Sequence, residues 1–349
     1  MLDVSASFNL QPETLGQPEI LLKMAYAATL QDCLNAQERL KGIANVTPVL
    51  TSSTLSSIAE CNLLFKCENF QKVGAFKFRG LYNAVALIGN DIGNKGVVTH
   101  SSGNAAQALA LAAKMKGIPA TIVMPRTAPA VKKQAVKGYG ATVIECEPIL
   151  SARESTTAEV QKRTGATLVH PYNDAGVIAG NGTLALEFIK QAKDMGVPLD
   201  AIVVPIGGGG MISGICIAAK GLDPNLRIIG AEPKGADDAY RSMQAGQLIP
   251  QTAPNTIADG LLTSLGSLTY PIIRDHVDEI ITVEETEIVQ AMKLVFERMK
   301  LVIEPSAAVG VAVVLYRPEF RRLGVKNVGV VLCGGNLDLD LPLPWVGKL

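Results

Sequence analysis

Charge of either sign is scarce and balanced in this chain. Its 349 residues carry 32 Lys and Arg against 32 Asp and Glu, and only 18% are charged. No basic footprint is therefore available for a nucleic-acid backbone or an anionic membrane surface, and the expected partner is a small molecule. Histidine is nearly missing: His100, His170 and His276 are the full set, none at zinc-ligand spacing from another, which argues against a zinc centre. Cys33, Cys61, Cys67, Cys146, Cys216 and Cys333 form no C-x-x-C pair. In a chain long enough to bury its own core, this favours reduced thiols and a cytoplasmic setting over a disulfide framework. Repeats, low-complexity tracts and long linkers are also absent. The first residues lack the basic and apolar regions of a secretory signal before Asp3 or Glu13. The uncharged run 201–219 invites a membrane-spanning reading, but Pro205 and four glycines interrupt it.

What is present is alternation. Residues 1–25 have no strong periodicity and are expected to be a loose extension, followed by a helix over 27–41. A short apolar run at 63–67 leads into Phe70-Gln71-Lys72-Val73-Gly74-Ala75-Phe76-Lys77-Phe78-Arg79-Gly80. Strands are then predicted at 97–100, 120–124, 141–146, 167–170, 201–206, 227–231, 279–283 and 328–333, with helical patterns between most of them. Short buried strands alternating with helices predict an α/β protein with mostly parallel sheets. The length suits two domains. Without a linker these are expected to interleave, a small mobile domain at 96–174 lying within a large one built from 1–95 and 175–349. Thr282 followed by Glu285 reads as a capping box opening a helix with Ile288, Met292, Val295 and Met299 on one face.

Chemistry concentrates at four places. Lys77 lies between two aromatic rings at a predicted helix start, where apolar surroundings would depress its pKa and suit it to Schiff-base formation. Lysines beside rings also snorkel at surfaces, so this signal needs support. Gly207, Gly208, Gly209 and Gly210 follow an apolar strand and precede a helix beginning at Met211. Such a turn forms a nest of N–H groups at a helix N-terminus, a phosphate cradle, unless it serves only close helix packing. Thr99-His100-Ser101-Ser102-Gly103-Asn104 stands between a strand and an Ala/Leu helix, where hydroxyls and amides would suit a carboxylate or simply an N-cap. Cys333-Gly334-Gly335-Asn336 ends the last strand, with its thiol expected in the same crevice. His100 is a further candidate ligand or base, although a strand-end histidine is more often just hydrogen-bonded.

Gly74-Ala75-Phe76-Lys77-Phe78-Arg79-Gly80, Ser101-Ser102-Gly103-Asn104, Gly207-Gly208-Gly209-Gly210-Met211-Ile212-Ser213-Gly214 and Cys333-Gly334-Gly335-Asn336 occur in an order that resembles the fold-type II pyridoxal phosphate enzymes. These are tryptophan synthase β-like proteins of two α/β domains, and the closest likeness is to the serine racemase and serine/threonine dehydratase family. It runs from about Thr47 to Asp338, and Ile257-Ala258-Asp259-Gly260, Arg298-Met299-Lys300-Leu301 and Ile303-Glu304-Pro305 look closest to eukaryotic serine racemases. The resemblance implies that Lys77 carries pyridoxal 5'-phosphate and acts as the base on one face of an amino acid. It implies Ser102 on the opposite face, and Phe76, Asn104, Gly207, Gly208, Gly209, Gly210, Met211 and Cys333 around the cofactor. Ser101, Ser102, Gly103, Asn104, Arg153 and Thr263 are implied for the substrate. Mg2+ or Ca2+ is implied at Glu232, Asp238 and the carbonyl of Ala236, a set of oxygen ligands that suits hard cations. ATP as allosteric activator is implied at Ser52, Ser53, Lys72, Gln107, Tyr139, Lys300 and Asn336, at the interface of a homodimer.

The departures concern substrate and activator. Ala75 replaces a serine, Ala105 a histidine, Thr263 a serine and Tyr172 an asparagine, while Leu34 and Val73 alter the nucleotide pattern. Cys333 stands where racemases usually have serine and some dehydratases have cysteine. A neutral donor at that position leaves the cofactor ring a weaker electron sink, so elimination is a natural companion to racemisation. The activity expected from the resemblance is serine racemisation with elimination of serine to pyruvate and ammonia; the rival is an L-threonine/L-serine or hydroxyaspartate dehydratase with little racemisation. From another class, the chain could be a non-catalytic nucleotide-binding protein that kept the fold.

Overall fold

Most of the short apolar runs become strands. The computed structural model describes residues 26–89, 95–101, 103–128 and 130–346. The strands are β1 Val49–Thr51, β2 Asn62–Cys67, β3 Val97–His100, β4 Ala120–Pro125, β5 Thr142–Cys146, β6 Thr167–Leu168, β7 Ala201–Pro205, β8 Arg227–Pro233, β9 Glu279–Val283 and β10 Asn327–Leu332. The helices used below are α1 Leu30–Leu40, α2 Ser53–Ala59, α3 Lys77–Leu87, α4 Asn104–Lys116, α5 Ala130–Gly138, α6 Leu150–Thr164, α7 Ala175–Asp194, α8 Gly210–Leu222, α9 Asp238–Ala245, α10 Thr269–His276, α11 Glu285–Leu294 and α12 Pro305–Tyr316. The loose extension expected at 1–25 lies outside the described residues.

Two sheets result. One has the order β1-β2-β10-β7-β8-β9 and the other β5-β4-β3-β6. Every pairing is parallel except β1 with β2, so the fold is α/β with mostly parallel sheets. The four-stranded sheet draws its strands wholly from 97–168. β7 is buried at all five positions, which is why its sequence is a continuous apolar run rather than an alternating one. α12 packs on β7, β8 and β10, while α7 packs on both α3 and α8. α3 has a second neighbour in α4, and its Phe78, Leu81 and Val85 share a core with Val97, Leu109 and Ile122. The helix that begins with Lys77 is thus held by both units.

Some local expectations shift. β1 and α2 are additional elements, the first an edge strand of three residues. The first helix starts at Leu30, capped by Thr29, whose side chain and Asp32 form a capping box. The box expected at Thr282 and Glu285 forms instead at Glu284 and Glu287, because Thr282 is taken into β9 opposite Glu232. The helix after it ends in a π-helical turn, Val295–Met299, closed by Lys300 at φ +59°. Trp345, near the end of the described chain, packs edge-on against Phe296 of that turn, with ring centroids 5.2 Å apart.

One charged cluster lies in the interior. Arg79 forks onto both oxygens of Glu68, at 2.8 Å each, and onto both of Glu187, at 3.1 Å each. Lys66 donates to Glu187 at 2.5 Å, to the Thr47 carbonyl at 2.8 Å and to Gln191 at 2.6 Å. Burial alone would lower the Arg79 pKa, but the two carboxylates outweigh it and raise it. Burial alone would raise Glu187, and Arg79 and Lys66 outweigh that and hold it below the usual carboxylate range. Two cations and two anions cancel, and their spare donors find carbonyl and amide oxygens, the condition under which a buried ion cluster is tolerated. Removing one member strands the others. Arg79→Met is expected to cost about 3–5 kcal/mol in urea unfolding. A loss of less than about 1 kcal/mol, the scale of an exposed pair, would mean that the cluster does not stabilise the fold.

Candidate active site

The loop after β10 meets the segment that leads into the N-terminus of α3. In parallel sheets the carboxyl ends of strands are where turns feed helix N-termini and ligands bind. Ala75 bridges to Gly334, the Phe76 amide donates to the Cys333 carbonyl at 3.0 Å, and the Gly335 amide donates to the Gly74 carbonyl at 2.9 Å. These bonds tie the lysine segment to the end of β10 across more than 250 residues of sequence.

Lys77 Nζ donates to the Pro171 carbonyl at 3.0 Å and lies 5.0 Å from the centroid of the Phe76 ring. Among the described residues no carboxylate comes within salt-bridge distance of it. Burial depresses its pKa to about 8, against smaller opposing contributions from Cys333 and Glu304. A lysine amine that sheds its proton near neutrality is a competent nucleophile and base.

The glycine loop presents amides. Gly208, Gly209 and Gly210 are buried, Gly209 has φ +84°, and α8 has no side-chain N-cap. Among the described residues no protein acceptor takes the amides of Gly207, Gly208 or Gly209. Buried backbone donors without partners are rare, and here they add to the positive end of α8 to make an anion cradle. A Cβ on Gly208 would lie 2.3 Å from the Tyr172 ring, so no larger residue fits there. Met211 is buried in the first turn of α8.

Asn104 opens α4 and donates to both oxygens of Glu304, at 2.9 and 3.0 Å, while its own oxygen accepts from Asn336 at 2.8 Å. Glu304, at the start of α12, was not assigned a role by sequence reasoning. Burial pushes its carboxyl up to about 7, opposed by the Asn104 amide. Cys333 is buried, with its thiol 3.9 Å from Glu304 Oε1, and burial followed by the Glu304 charge raises its pKa well above the ordinary value. The thiol is therefore a neutral weak donor.

Tyr172, Pro171 and His170 form the wall beside Lys77. His170 Nδ1 accepts from the Asn173 amide at 3.0 Å, which leaves any ring proton on Nε2. The His170 ring meets His100 and Tyr172 edge-on at 5.6 and 4.6 Å. Burial, then the charges of His100 and Lys77, lower the His170 pKa to about 4, and burial lowers that of His100. Both stay neutral above mildly acid pH. Tyr172 is pushed up to about 12 by burial, with Asp238 and Glu154 adding and the nearby Thr263 hydroxyl opposing.

Ser101 accepts from the Gly103 amide at 3.3 Å, and Gly103 precedes α4. Ser102 lies outside the described residues. Arg153 sits on α6 with its Nε buried and unpartnered among the described residues.

The acidic pair is buried at the end of β8. Glu232 accepts from the amides of Ala239 and Tyr240 at 3.1 and 2.7 Å, and Asp238 Oδ2 accepts from Leu265 at 2.9 Å. Asp238 Oδ1 is buried with no partner, and Ala236 is fully buried nearby in sequence. Burial first, then the Asp238 charge, raises Glu232 well above its ordinary value, and burial raises Asp238 to about 6. Two destabilised carboxylates with an orphan oxygen fit a hard cation. Among the described residues no group of three His, Cys, Asp or Glu could hold a metal.

The nucleotide candidates are less united. Asn336 bonds Asn104 and the Val73 carbonyl next to Lys72, and α4, which carries Gln107, packs on the Lys72–Gly74 turn. Tyr139 joins the same core cluster as Val73, and Lys300 donates to the Glu297 carbonyl. Ser52 is spent as the N-cap of α2, and among the described residues no hydrogen bond links Ser52 or Ser53 to the rest.

Glu304 and His170 are site residues that the motifs leave without a function. The only signals were an acid opening an Ala/Val helix, as Glu304-Pro305, and a strand-end histidine before Pro171.

A protein-family model described as "Pyridoxal-phosphate dependent enzyme" matches residues 40–334. The chain is 51% identical to a beta-hydroxyaspartate dehydratase of Paracoccus denitrificans, over 92% of this chain and 99% of that one. It is 52% identical to a serine racemase of Arabidopsis thaliana, over 90% and 95% of the two chains. The solved structure of maize serine racemase superposes with a TM-score of 0.87 at 46% identity, covering 90% of this chain and 95% of that one. Among the described residues no helix is long and apolar enough to cross a membrane.

The Lys77 amine yields a direct test. Reductive labelling with a small aromatic aldehyde and cyanoborohydride, read by peptide mass spectrometry, should mark Lys77 with a midpoint near pH 8. The sign follows from the depressed pKa: the reactive neutral amine accumulates above that pH. A midpoint near that of ordinary lysines, about 10.4, would show an undisturbed ammonium.

Proposed function

The chain belongs to the pyridoxal-phosphate dependent enzyme family, and from that membership we propose that it is a serine racemase with dehydratase activity. It interconverts L- and D-serine and eliminates water from serine to give pyruvate and ammonia. The observation that carries this reading is a desolvated lysine amine, free of any carboxylate partner among the described residues, bonded to the Pro171 carbonyl next to Tyr172, the residue packed on the glycine loop with its unpaired amides.

The residues present fit the cofactor. Lys77 Nζ would attach it, the amides of Gly207, Gly208, Gly209 and Gly210 with Met211 at the start of α8 would take its phosphate, and Phe76, Asn104 and Cys333 would border its ring. Bound there, pyridoxal phosphate supplies an electron sink that acidifies the hydrogen on the amino acid's α-carbon. The chain does the rest. Lys77 Nζ removes or returns that proton from one face, which its low pKa permits near neutrality. Ser102 is the opposing proton donor in this reading, since inversion requires a second group. Ser101, Gly103 and Asn104 bind the substrate carboxylate at the start of α4, while Thr263 and Arg153 contact the side-chain end. Cys333, held neutral by burial, gives the ring no full countercharge, which favours elimination alongside racemisation. Glu304 keeps Asn104 oriented through two hydrogen bonds.

Glu232, Asp238 and the Ala236 carbonyl bind Mg2+ or Ca2+ in this reading, supported by the orphan Asp238 oxygen. ATP binding at Ser52, Ser53, Lys72, Gln107, Tyr139, Lys300 and Asn336, a homodimer, a mobile 96–174 domain and a cytoplasmic location complete the proposal. A second reading, a hydroxyaspartate dehydratase, is favoured by the Paracoccus relative and by the unpartnered Arg153 Nε, a donor suited to a second carboxylate.

Product analysis decides between them. Purified enzyme on L-serine should yield D-serine together with pyruvate, and Lys77→Ala should abolish both along with a borohydride-sensitive visible absorbance. No D-serine at any time, with rapid turnover of 3-hydroxyaspartate, would replace the first reading by the second. EDTA should slow the reaction and Mg2+ or Ca2+ restore it; indifference to both removes the cation from the proposal.

A further inference from the structure

Resting on the cofactor reading above, we propose that Thr269 is a positioning residue for the phosphate cradle. Its hydroxyl fixes the peptide plane between Gly208 and Gly209 and so aims the Gly209 amide into the nest. Thr269 Oγ1 donates to the Gly208 carbonyl at 2.9 Å and accepts from the Gly266 amide at 2.9 Å, with the Gly266 carbonyl farther off at 3.2 Å. A threonine hydroxyl has a single proton, and the shorter contact assigns it to Gly208.

A trans peptide unit is planar, so the carbonyl of Gly208 and the N–H of Gly209 point in opposite directions. Holding the carbonyl toward α10 turns the amide away from α10, on the side where no protein acceptor meets it. Little else on the loop supplies this control. Gly208 has no side chain, Gly209 sits at φ +84°, and α8 lacks a side-chain cap. Between two glycines the plane can turn over at small steric cost, and a flipped plane would set a carbonyl oxygen against the phosphate.

The clamp is itself immobilised. Thr269 is fully buried, and its side chain fills the space that a Cβ on Gly209 would need, with Oγ1 2.8 Å from that position. The preceding residues are pinned as well: the Leu268 amide donates to Asn173 Oδ1 at 2.8 Å and the Leu265 amide to Asp238 at 2.9 Å. A threonine used only to start a helix would satisfy its own first turn; this one reaches across to the glycine loop instead.

The test compares pyridoxal phosphate with pyridoxal, which lacks the phosphate, by absorbance titration of the full-length protein. Thr269→Val is expected to weaken pyridoxal phosphate binding about tenfold, the scale of one lost hydrogen bond, and to leave pyridoxal affinity unchanged. Thr269→Ser, which keeps the hydroxyl, should retain the wild-type ratio of the two affinities. Should the valine variant fail to fold, Thr269→Ala is held to the same change in ratio. A wild-type ratio in the valine or alanine variant, or equal loss of both ligands, overturns the clamp. If the wild-type protein does not prefer pyridoxal phosphate over pyridoxal, the phosphate-cradle reading fails instead, and the clamp with it.

Discussion

An amine kept out of water without a countercharge is the constraint around which the site is arranged. Lys77 meets a carbonyl, an aromatic face and a neutral thiol, but among the described residues no carboxylate within bonding reach. A carboxylate partner would restore the ammonium and raise its pKa, ending its use as nucleophile or base. Glu304, whose charge acts on Lys77, is itself destabilised by burial and engaged by Asn104, so it does not supply that charge fully. Two residues further along the same helix, Arg79 shows the opposite solution. Its charge is enclosed by Glu68 and Glu187 in bidentate pairs and is fixed for good. A single turn of α3 thus holds one cation made permanent and one made labile, and the permanent one anchors the helix that carries the other.

The wall opposite the glycine loop belongs to the segment 170–173, and its bonds spread outward. His170 orders the Asn173 amide, and Asn173 orders Leu268, one residue before Thr269. Leu265 in the same stretch is bonded to Asp238 of the acidic pair. The glycine loop, the lysine wall and the acidic pair are therefore joined by one short segment, 265–269.

Much of this architecture was legible in the chain. Parallel strands buried on both faces appear as uninterrupted Val/Ile runs, and glycine or serine turns mark their carboxyl ends, so β7 with its nest and β10 with Cys333 could be read directly. Lys77 was readable only together with the glycine and serine turns elsewhere in the chain, because apolar neighbours alone also mark lysines that snorkel at a surface. The rest failed for physical reasons. β1 is three residues on an edge and has no periodicity to show. The Thr282 cap was misread because the ladder with β8 claims that residue, a contact 50 positions away. Glu304 draws its role from Asn104, 200 residues distant, and Arg79 from Glu187, 108 residues distant. Local pattern reports which face is buried; it does not report which polar groups meet there.

The chain contains one tryptophan, and Trp345 rests on Phe296 of the π-helical turn that Lys300 closes. Its fluorescence is consequently not an average over the molecule. Excited at the red edge, where tyrosine does not absorb, the emission comes from a single address, where the end of the described chain lies against the only π-helical turn among the described residues. A change in colour or quenching there reports the contact between the terminal segment and that turn, a built-in optical gauge that needs no label and leaves the active-site residues untouched.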